Sequence, residues 1–205
     1  MKILLVDDHV IVRAGLRDLL STLSGTEISE AATGRDALLR LRQDRPNLVL
    51  LDLNLPGIGG LELLRRMLLE DSTARILVLS MHAEPLYAAR AMELGARGYL
   101  SKNASADELL TAVRRVMEGS RYIENEIAQE LALQKVTSGR DLPDLNERDL
   151  EIMRLLAEGM SLAEIADALG VSYKTVANAC SRIKAKLGVT RTSELVRLAT
   201  TLGVA

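Results

Sequence analysis

Five polar side chains that could share one chemical site lie far apart in the chain, each directly after a short apolar run. They are Asp7, Asp8, Asp52, Ser80 and Lys102. Three carboxylates gathered at one place repel one another unless a cation offsets their charge, and hard oxygen ligands favour Mg²⁺. An aspartate in such a site can act as a nucleophile and form an acyl phosphate. We therefore expect Asp7, Asp8 and Asp52 to bind Mg²⁺, Asp52 to take a phosphoryl group, and Ser80 and Lys102 to hold the phosphoryl oxygens.

A doubly wound parallel sheet would bring these side chains together. Through residue 118, short apolar runs alternate with stretches of helical periodicity, and Leu48-Val49-Leu50-Leu51 is apolar throughout, as in strands buried on both faces. Ligands of such sheets bind beyond the carboxyl ends of the strands, where the five residues fall. The expected fold is flavodoxin-like, an α/β domain with a five-stranded parallel sheet. Its strands are predicted at 3–6, 27–31, 48–51, 76–79 and 98–100, and its helices at 10–23, 36–41, 61–69, 85–94 and 107–117.

The pattern changes after residue 118, and the rest of the chain is predicted to be all-α. Residues 122–133 predict one more helix, and residues 134–142 predict a polar linker. Four helices follow at 147–158, 162–169, 173–187 and 194–202, with start signals at Asn146, Ser161 with Glu164, Ser172, and Thr192 or Ser193. The short Gly170-Val171 link is typical of a helix-turn-helix. We expect domains at 1–120 and 143–205, joined by a helical extension and linker at 121–142.

Composition excludes several classes of protein. Of 205 residues, 48% are hydrophobic and 26% are charged, which is not the balance of a disordered or collagen-like chain. Cys180 is the single cysteine, so no intramolecular disulfide forms, as fits a reducing compartment. No apolar run reaches the roughly 18 residues of a membrane span, and the first strand is too short for a signal-peptide core. We expect a cytoplasmic protein that makes no use of a membrane.

The net charge of −2 hides two regions of opposite sign. Residues 141–170 carry eight acidic and two basic side chains, whereas residues 171–197 carry six basic side chains against Glu194. Such asymmetry is typical of a nucleic-acid footprint, and also of a solvated helix face. In the helix at 173–187, Val176, Ile183 and Leu187 mark a buried stripe. The opposite side would enter the major groove of double-stranded DNA, with contacts from Tyr173, Lys174, Thr175, Asn178, Ser181 and Arg182.

Eight short segments give the chain a resemblance to a known family. LLVDDH at 4–9, LLDLNLPG at 50–57, LSMH at 79–82 and GARGYLSK at 95–102 resemble a receiver domain. LNERD at 145–149, GMSLAEIA at 159–166, VSYKTV at 171–176 and KLGV at 186–189 resemble a LuxR-type DNA-binding module. Together they resemble a two-component response regulator of the NarL/FixJ type.

The resemblance implies a regulator that catalyses only its own phosphotransfer and dephosphorylation. A sensor histidine kinase would phosphorylate Asp52, Ser80 and Tyr99 would form a switch pair, and DNA binding would follow. Asn54 and His82 would flank the phosphate by position, or they are solvated loop residues. The last helix, with Leu195, Leu198 and Leu202 on one side, resembles a dimerising helix, which implies a homodimer on two half-sites.

Four positions depart from the family pattern. Asn103 stands where proline is common, so no cis peptide bond is expected there. Leu162 and Ala163 stand where Asn-Lys is common, and Ala179 stands where histidine is common. The loss of a lysine contact to phosphate removes sequence-independent affinity, so weaker DNA binding or an unusual target is expected.

Two further functions are compatible with parts of the sequence. An aspartyl-phosphate phosphohydrolase has a similar fold, but such enzymes carry a second acid two residues after the nucleophile, where this chain has Asn54. A tail that binds only protein is compatible with Leu162, Ala163 and Ala179. Taken singly, each site residue could also have a purely structural role, such as capping of the first helix by Asp7 or Asp8.

Overall fold

The computed structural model describes residues 1–56, 58–81, 85–138 and 145–201, which divide between two compact units. The first unit contains the strands β1 Lys2–Val6, β2 Glu27–Ala31, β3 Leu48–Asp52, β4 Ile76–Ser80, β5 Gly98–Ser101 and β6 Tyr122–Ile123. The helices are α1 Val10–Leu20, α2 Gly34–Asp44, α3 Gly60–Glu70, α4 Pro85–Leu94, α5 Ala106–Met117, α6 Asn125–Ser138, α7 Glu147–Ala157, α8 Leu162–Ala168, α9 Tyr173–Leu187 and α10 Thr192–Thr201. Within these ranges, no helix combines the length and the apolarity needed to cross a membrane.

The strands of the first unit form one parallel sheet in the order β2-β1-β3-β4-β5-β6. Because β2 and β3 lie on opposite sides of β1, the carboxyl ends of β1 and β3 meet at a topological switch point, where ligands of such sheets bind. Val6 pairs with Leu51 in the register of these two strands. Asp7, directly after β1, therefore lies beside Asp52, the last residue of β3.

Burial on both faces explains why the central strands are apolar throughout. Ile3 and Leu5 belong to one core cluster with Leu20 of α1 and Val113 of α5. Leu4, which points to the opposite face, is also completely buried. A strand without a solvated face needs helices on both sides of its sheet, so the predicted flavodoxin-like architecture is confirmed.

In the first unit, the first two predicted helices differ from the structure by two residues or more at an end. The first ends at Leu20 rather than at Leu23, because the backbone N–H groups of Thr22 and Leu23 bond to carbonyls three residues back and close tight turns. The second begins earlier than predicted, at Gly34. The reason is Thr33, whose side chain accepts a hydrogen bond from the Asp36 N–H and caps the helix.

The prediction of a five-stranded sheet is wrong, because the sheet has a sixth strand. Residues 122 and 123, predicted as the start of a helix, form β6 beside β5. The Tyr122 N–H donates to the Arg97 carbonyl at 3.0 Å, and the Tyr122 hydroxyl donates to Glu108 at 2.9 Å. Hydrophobic periodicity depends on neighbouring residues, so it does not reveal hydrogen-bond partners this far apart in the sequence. The helix starts only at Asn125.

The second unit contains the predicted helix-turn-helix. Helix α6 continues through Ser138, so the predicted linker at 134–142 is helical in its first part, and the rest of it lies outside the described residues. Asn146 and Ser161 cap α7 and α8, as predicted from their positions. Each forms a capping box, which the sequence predicted only for Ser161 with Glu164. Ser172 accepts a hydrogen bond from the Thr175 N–H at 3.1 Å and caps α9. The turn between α8 and α9 contains Gly170 with a φ of +63°, which favours glycine.

Gly60 gives a test of how tightly α3 packs beside the acidic residues. A Cβ at Gly60 would overlap the backbone of Leu53, whose carbonyl accepts a hydrogen bond from the Gly60 N–H at 3.1 Å. Because backbone cannot move aside as a side chain can, we expect Gly60→Ala to lower the free energy of unfolding by roughly 1–3 kcal/mol in urea titrations. At the control position Gly15, within α1, nothing lies within 4 Å of an added Cβ. Gly15→Ala should be neutral or stabilising by about 0.5–1 kcal/mol, and equal effects of the two variants would contradict tight packing at Gly60.

Candidate functional site

Three of the side chains expected to share a site meet beyond the carboxyl ends of β1, β3 and β5. The Lys102 Nζ atom lies 2.6 Å from Asp7 Oδ2 and 2.6 Å from Asp52 Oδ2. The side chains are 6%, 3% and 0% exposed for Lys102, Asp7 and Asp52. Little water screens charges at this depth, so the ammonium and the two carboxylates interact strongly.

Local turns orient the two buried carboxylates. Asp7 Oδ1 accepts a hydrogen bond from the His9 N–H at 2.8 Å, and Asp52 Oδ1 accepts one from the Asn54 N–H at 2.9 Å. Each bond joins an aspartate to the backbone two residues later, a turn that aspartate favours. The residue that precedes α1 is His9, and its side chain makes no capping bond. The Asp7 side chain therefore stabilises the turn and does not cap α1, so the capping role considered for this residue is wrong.

The pKa values of the buried groups reflect burial and pairing together. Burial raises the pKa of Asp52, in opposition to the hydrogen bonds from Lys102 and the Asn54 N–H, which lower it. For Lys102, burial acts to lower the pKa, but hydrogen bonds to Asp52 and Asp7 prevail and raise it above the ordinary lysine value. Lys102 therefore stays an ammonium group at neutral pH, a fixed positive charge next to Asp52.

The ligand atoms around Asp52 fit a divalent cation. Asp7, Asp8, His9 and Asp52 each offer one ligand atom, and these atoms lie within 4.8 Å of one another. Asp8 Oδ1 is buried and accepts no hydrogen bond, although His9 Nδ1 lies 2.9 Å from it. A buried acceptor without a donor is costly, and a bound cation would remove that cost. Three carboxylates are the hard oxygen ligands that Mg²⁺ prefers.

The remaining residues expected around the phosphate are Ser80, Tyr99, Asn54 and His82, and the first three lie in the described part of the chain. Ser80 ends β4, and its carbonyl accepts a hydrogen bond from the Lys102 N–H at 2.7 Å. Tyr99, on β5, is completely buried. Asn54 is half-buried, and His82 lies outside the described residues. No cis peptide bond occurs in the part of the chain that the structure describes, in keeping with Asn103.

The six residues expected to contact DNA are all exposed on α9: Tyr173, Lys174, Thr175, Asn178, Ser181 and Arg182. The opposite side of the helix is buried, and it includes Ala179 and Cys180 in addition to the predicted Val176 and Ile183, whereas Leu187 of the predicted stripe is only half-buried. Ala179 stands where the family commonly has histidine. Because Ala179 is buried, its small side chain does not change the exposed side of α9. Two of the hydroxyls already have partners, since Thr175 Oγ1 lies 2.8 Å from Ser172 Oγ and Ser181 donates to the Ala177 carbonyl at 3.0 Å.

Asp149 is a residue whose importance the sequence analysis misses. Its side chain is completely buried, 2.6 Å from Arg182 Nη2 and 3.0 Å from Lys186 Nζ, and it accepts the Asn146 N–H at 3.2 Å. Burial acts to raise the pKa of Asp149, but the hydrogen bonds from Arg182 and Lys186 prevail and lower it. Its one signal in the sequence is the three-residue distance from Asn146, typical of a capping box. The pairing with Arg182, 33 residues away, has no such signal.

Comparisons with known proteins agree with both halves of the structure. Residues 3–114 match the response regulator receiver domain, and residues 143–199 match the bacterial regulatory proteins of the luxR family. The chain belongs to the NarL/FixJ-type response regulators. The response regulator UvrY of Escherichia coli K12 is 38% identical over 203 residues, covering 97% of this chain and 93% of that protein. The transcriptional activator protein ExaE of Pseudomonas putida is 40% identical over 209 residues, covering 100% of this chain and 98% of that protein.

A solved structure has a similar fold over most of the length of this response regulator. RcsB of Salmonella enterica serovar Typhimurium, solved on promoter DNA with the phosphomimetic BeF₃⁻, has a TM-score of 0.74 and 24% identity, covering 96% of each chain. The combination of a receiver domain with a LuxR-type helix-turn-helix domain is thus confirmed. The family consists of transcription regulators, which favours that function over the phosphohydrolase considered above.

Asp149→Asn tests the ion pairs that join α7 to α9. The variant removes the charge that Arg182 and Lys186 face, and we expect it to lower the free energy of unfolding by roughly 1–3 kcal/mol at about pH 7 in urea titrations. Because the pKa of Asp149 is lower in the folded chain than in the unfolded chain, this stabilisation is complete above the unfolded pKa. It is lost as the pH falls below about 4, through the folded pKa, so wild type and variant should converge there. Asp167→Asn, at an exposed position on α8, is the control, and an equal loss in both variants would contradict the role of the pairs.

Proposed function

We propose that this response regulator accepts a phosphoryl group on Asp52 from a sensor histidine kinase and thereby controls DNA binding and transcription. Mg²⁺ would be held by Asp7, Asp8 and Asp52. The proposal rests on the position of the Lys102 ammonium. Its Nζ atom lies 2.6 Å from the carboxylate of Asp7, which follows β1, and 2.6 Å from that of Asp52, which ends β3. The proposed domains are the receiver at 1–120, the extension and linker at 121–142, and the DNA-binding domain at 143–205.

In the proposed transfer, a carboxylate oxygen of Asp52 attacks the phosphorus of the phosphohistidine on the kinase. An O–P bond forms while the P–N bond to the imidazole breaks, and the electron pair of that bond leaves with the imidazole nitrogen. Lys102 would stabilise the negative charge on the phosphoryl oxygens, since its ammonium already lies beside Asp52. Mg²⁺, when bound, offsets the repulsion between the phosphoryl oxygens and the carboxylates.

The switch would act through Ser80 and Tyr99. A phosphoryl dianion on Asp52 offers strong acceptors to the Ser80 hydroxyl. The Lys102 N–H donates a hydrogen bond to the Ser80 carbonyl. A shift of Ser80 would therefore also displace the end of β5, the strand that carries Tyr99. Phosphorylation favours the active state only by as much as its contacts differ between the two states.

The DNA-binding domain would insert α9 into the major groove. Asn178 suits adenine, and Lys174 and Arg182 suit phosphate or guanine. All three side chains are exposed, and Arg182 is oriented by the buried Asp149. A homodimer through α10 would present two such helices to two half-sites. Leu195 is completely buried within the single chain, so contact between two copies would involve other residues of that helix.

Asp52→Asn tests the phosphoacceptor. The amide is a poor nucleophile, so incubation with ³²P-labelled acetyl phosphate and Mg²⁺ should give stoichiometric labelling of the wild type and none of the variant. Asp18→Asn, in an 84% exposed side chain on α1, is the matched control and should label like the wild type. Persistent labelling of Asp52→Asn would contradict the assignment.

Lys174→Ala tests the DNA interface. Loss of one phosphate contact should weaken binding uniformly across sequences and reduce the slope of log K against log salt by about 1, as measured by fluorescence anisotropy. Arg121→Ala, an exposed charge of the same sign on the first unit, should leave the slope unchanged. A wild type that binds no DNA even at low salt would favour the alternative in which the tail binds only protein.

A further inference from the structure

A buried carboxylate lies beside the end of β5 and belongs to none of the groups discussed above. Glu124, directly after β6, is 9% exposed, and its Oε2 atom accepts a hydrogen bond from the Ser101 N–H at 2.6 Å. Its own backbone N–H donates to the Tyr99 carbonyl at 3.1 Å. Glu124 therefore contacts the last part of β5 with both its backbone and its side chain.

The Glu124 side chain takes the place of a strand partner. Strand β6 is so short that its register with β5 ends at the pair of Tyr99 and Ile123. The Ser101 N–H, two residues further along, is bonded to the Glu124 carboxylate instead. A buried N–H left without an acceptor costs about 1–3 kcal/mol, and a bond to a charged acceptor is stronger than one to a neutral acceptor. Burial of a carboxylate is itself costly, so its use here calls for a further reason.

That reason lies in the next residue, Lys102. Consecutive N–H groups of a strand point to opposite sides, so the Ser101 N–H bonds to Glu124 while the Lys102 N–H bonds to the Ser80 carbonyl at 2.7 Å. The Asn103 N–H bonds to Ser101 Oγ at 3.0 Å and holds the following turn. The backbone that carries the Lys102 ammonium is thus held from both sides.

We infer that Glu124 is a positioning residue of the phosphoacceptor site, because its bond to the Ser101 N–H holds the end of β5 where the Lys102 ammonium reaches Asp52. This inference rests on the proposed function. Since α6 begins directly after Glu124, the same bond also ties the chain that leaves the receiver domain to the site.

Three variants of the full-length chain test the inference. Glu124→Met removes the acceptor at nearly constant length, Glu124→Gln keeps a carbonyl oxygen in its place, and Glu126→Met changes an exposed residue two positions away. Each is assayed for the rate of phosphorylation by acetyl phosphate at saturating Mg²⁺, for Mg²⁺ affinity by calorimetry, and for Tm by circular dichroism.

We expect Glu124→Met to slow phosphorylation roughly tenfold, as a small displacement of a catalytic group does. Glu124→Gln and Glu126→Met should stay within about threefold of the wild type, because each keeps an acceptor for Ser101. The Mg²⁺ affinity should be unchanged in all three, since the expected ligands are Asp7, Asp8 and Asp52. General destabilisation would instead lower rate and affinity together.

Equal rates for Glu124→Met and Glu126→Met would overturn the inference, and so would a parallel loss of rate and Mg²⁺ affinity or a tenfold loss in Glu124→Gln. If Glu124→Met does not fold, Glu124→Ala takes its place under the same criteria. A wild type that takes up no phosphoryl group contradicts the proposed function itself. A phosphorylated wild type with an unaffected Glu124→Met contradicts only the role of Glu124.

Discussion

The contact of the Lys102 ammonium with the carboxylates of Asp7 and Asp52 is the interaction on which the first unit depends. Two buried carboxylates brought together repel, and a single charge left unpaired at this depth would be strongly destabilising. These residues are 95 and 50 positions from Lys102 in the chain, so no local turn joins them. The order of the parallel strands does so, because it sends the ends of β1, β3 and β5 to one edge. A site for charge chemistry and a stable fold thus require the same arrangement.

The second unit repeats this device with a different outcome. Asp149 is buried like Asp52 and is paired with cations from another element, Arg182 and Lys186. In the first unit the cation is buried with its partners, where it would meet a phosphoryl group. In the second unit the Arg182 side chain is 48% exposed. A buried anion can therefore orient a cation toward an enclosed site or toward an open surface, and the exposure of the cation distinguishes the two.

Burial also changes the meaning of positions at which this chain departs from its family. Ala179 faces the interior of the helical unit, so its small size concerns packing and not the exposed side of α9. Ala163 is exposed, and there the absence of a lysine removes a positive charge from the surface. A list of substitutions from the sequence treats both positions alike, whereas the structure places only Ala163 at the surface.

The sequence by itself determined the elements and the edge of the sheet where chemistry is concentrated. Apolar runs and capping residues are local signals. They located the strand predicted at 48–51, the capped starts of α7 to α9 and the polar residues that follow the strands. Only the tertiary structure decided the sixth strand, the pairing of Asp149 with Arg182 and the contact of Glu124 with Ser101. Each of these depends on hydrogen bonds or ion pairs between groups distant in the chain. Such a bond leaves no periodic trace in the sequence, because its energy arises only once the packed elements have brought donor and acceptor together.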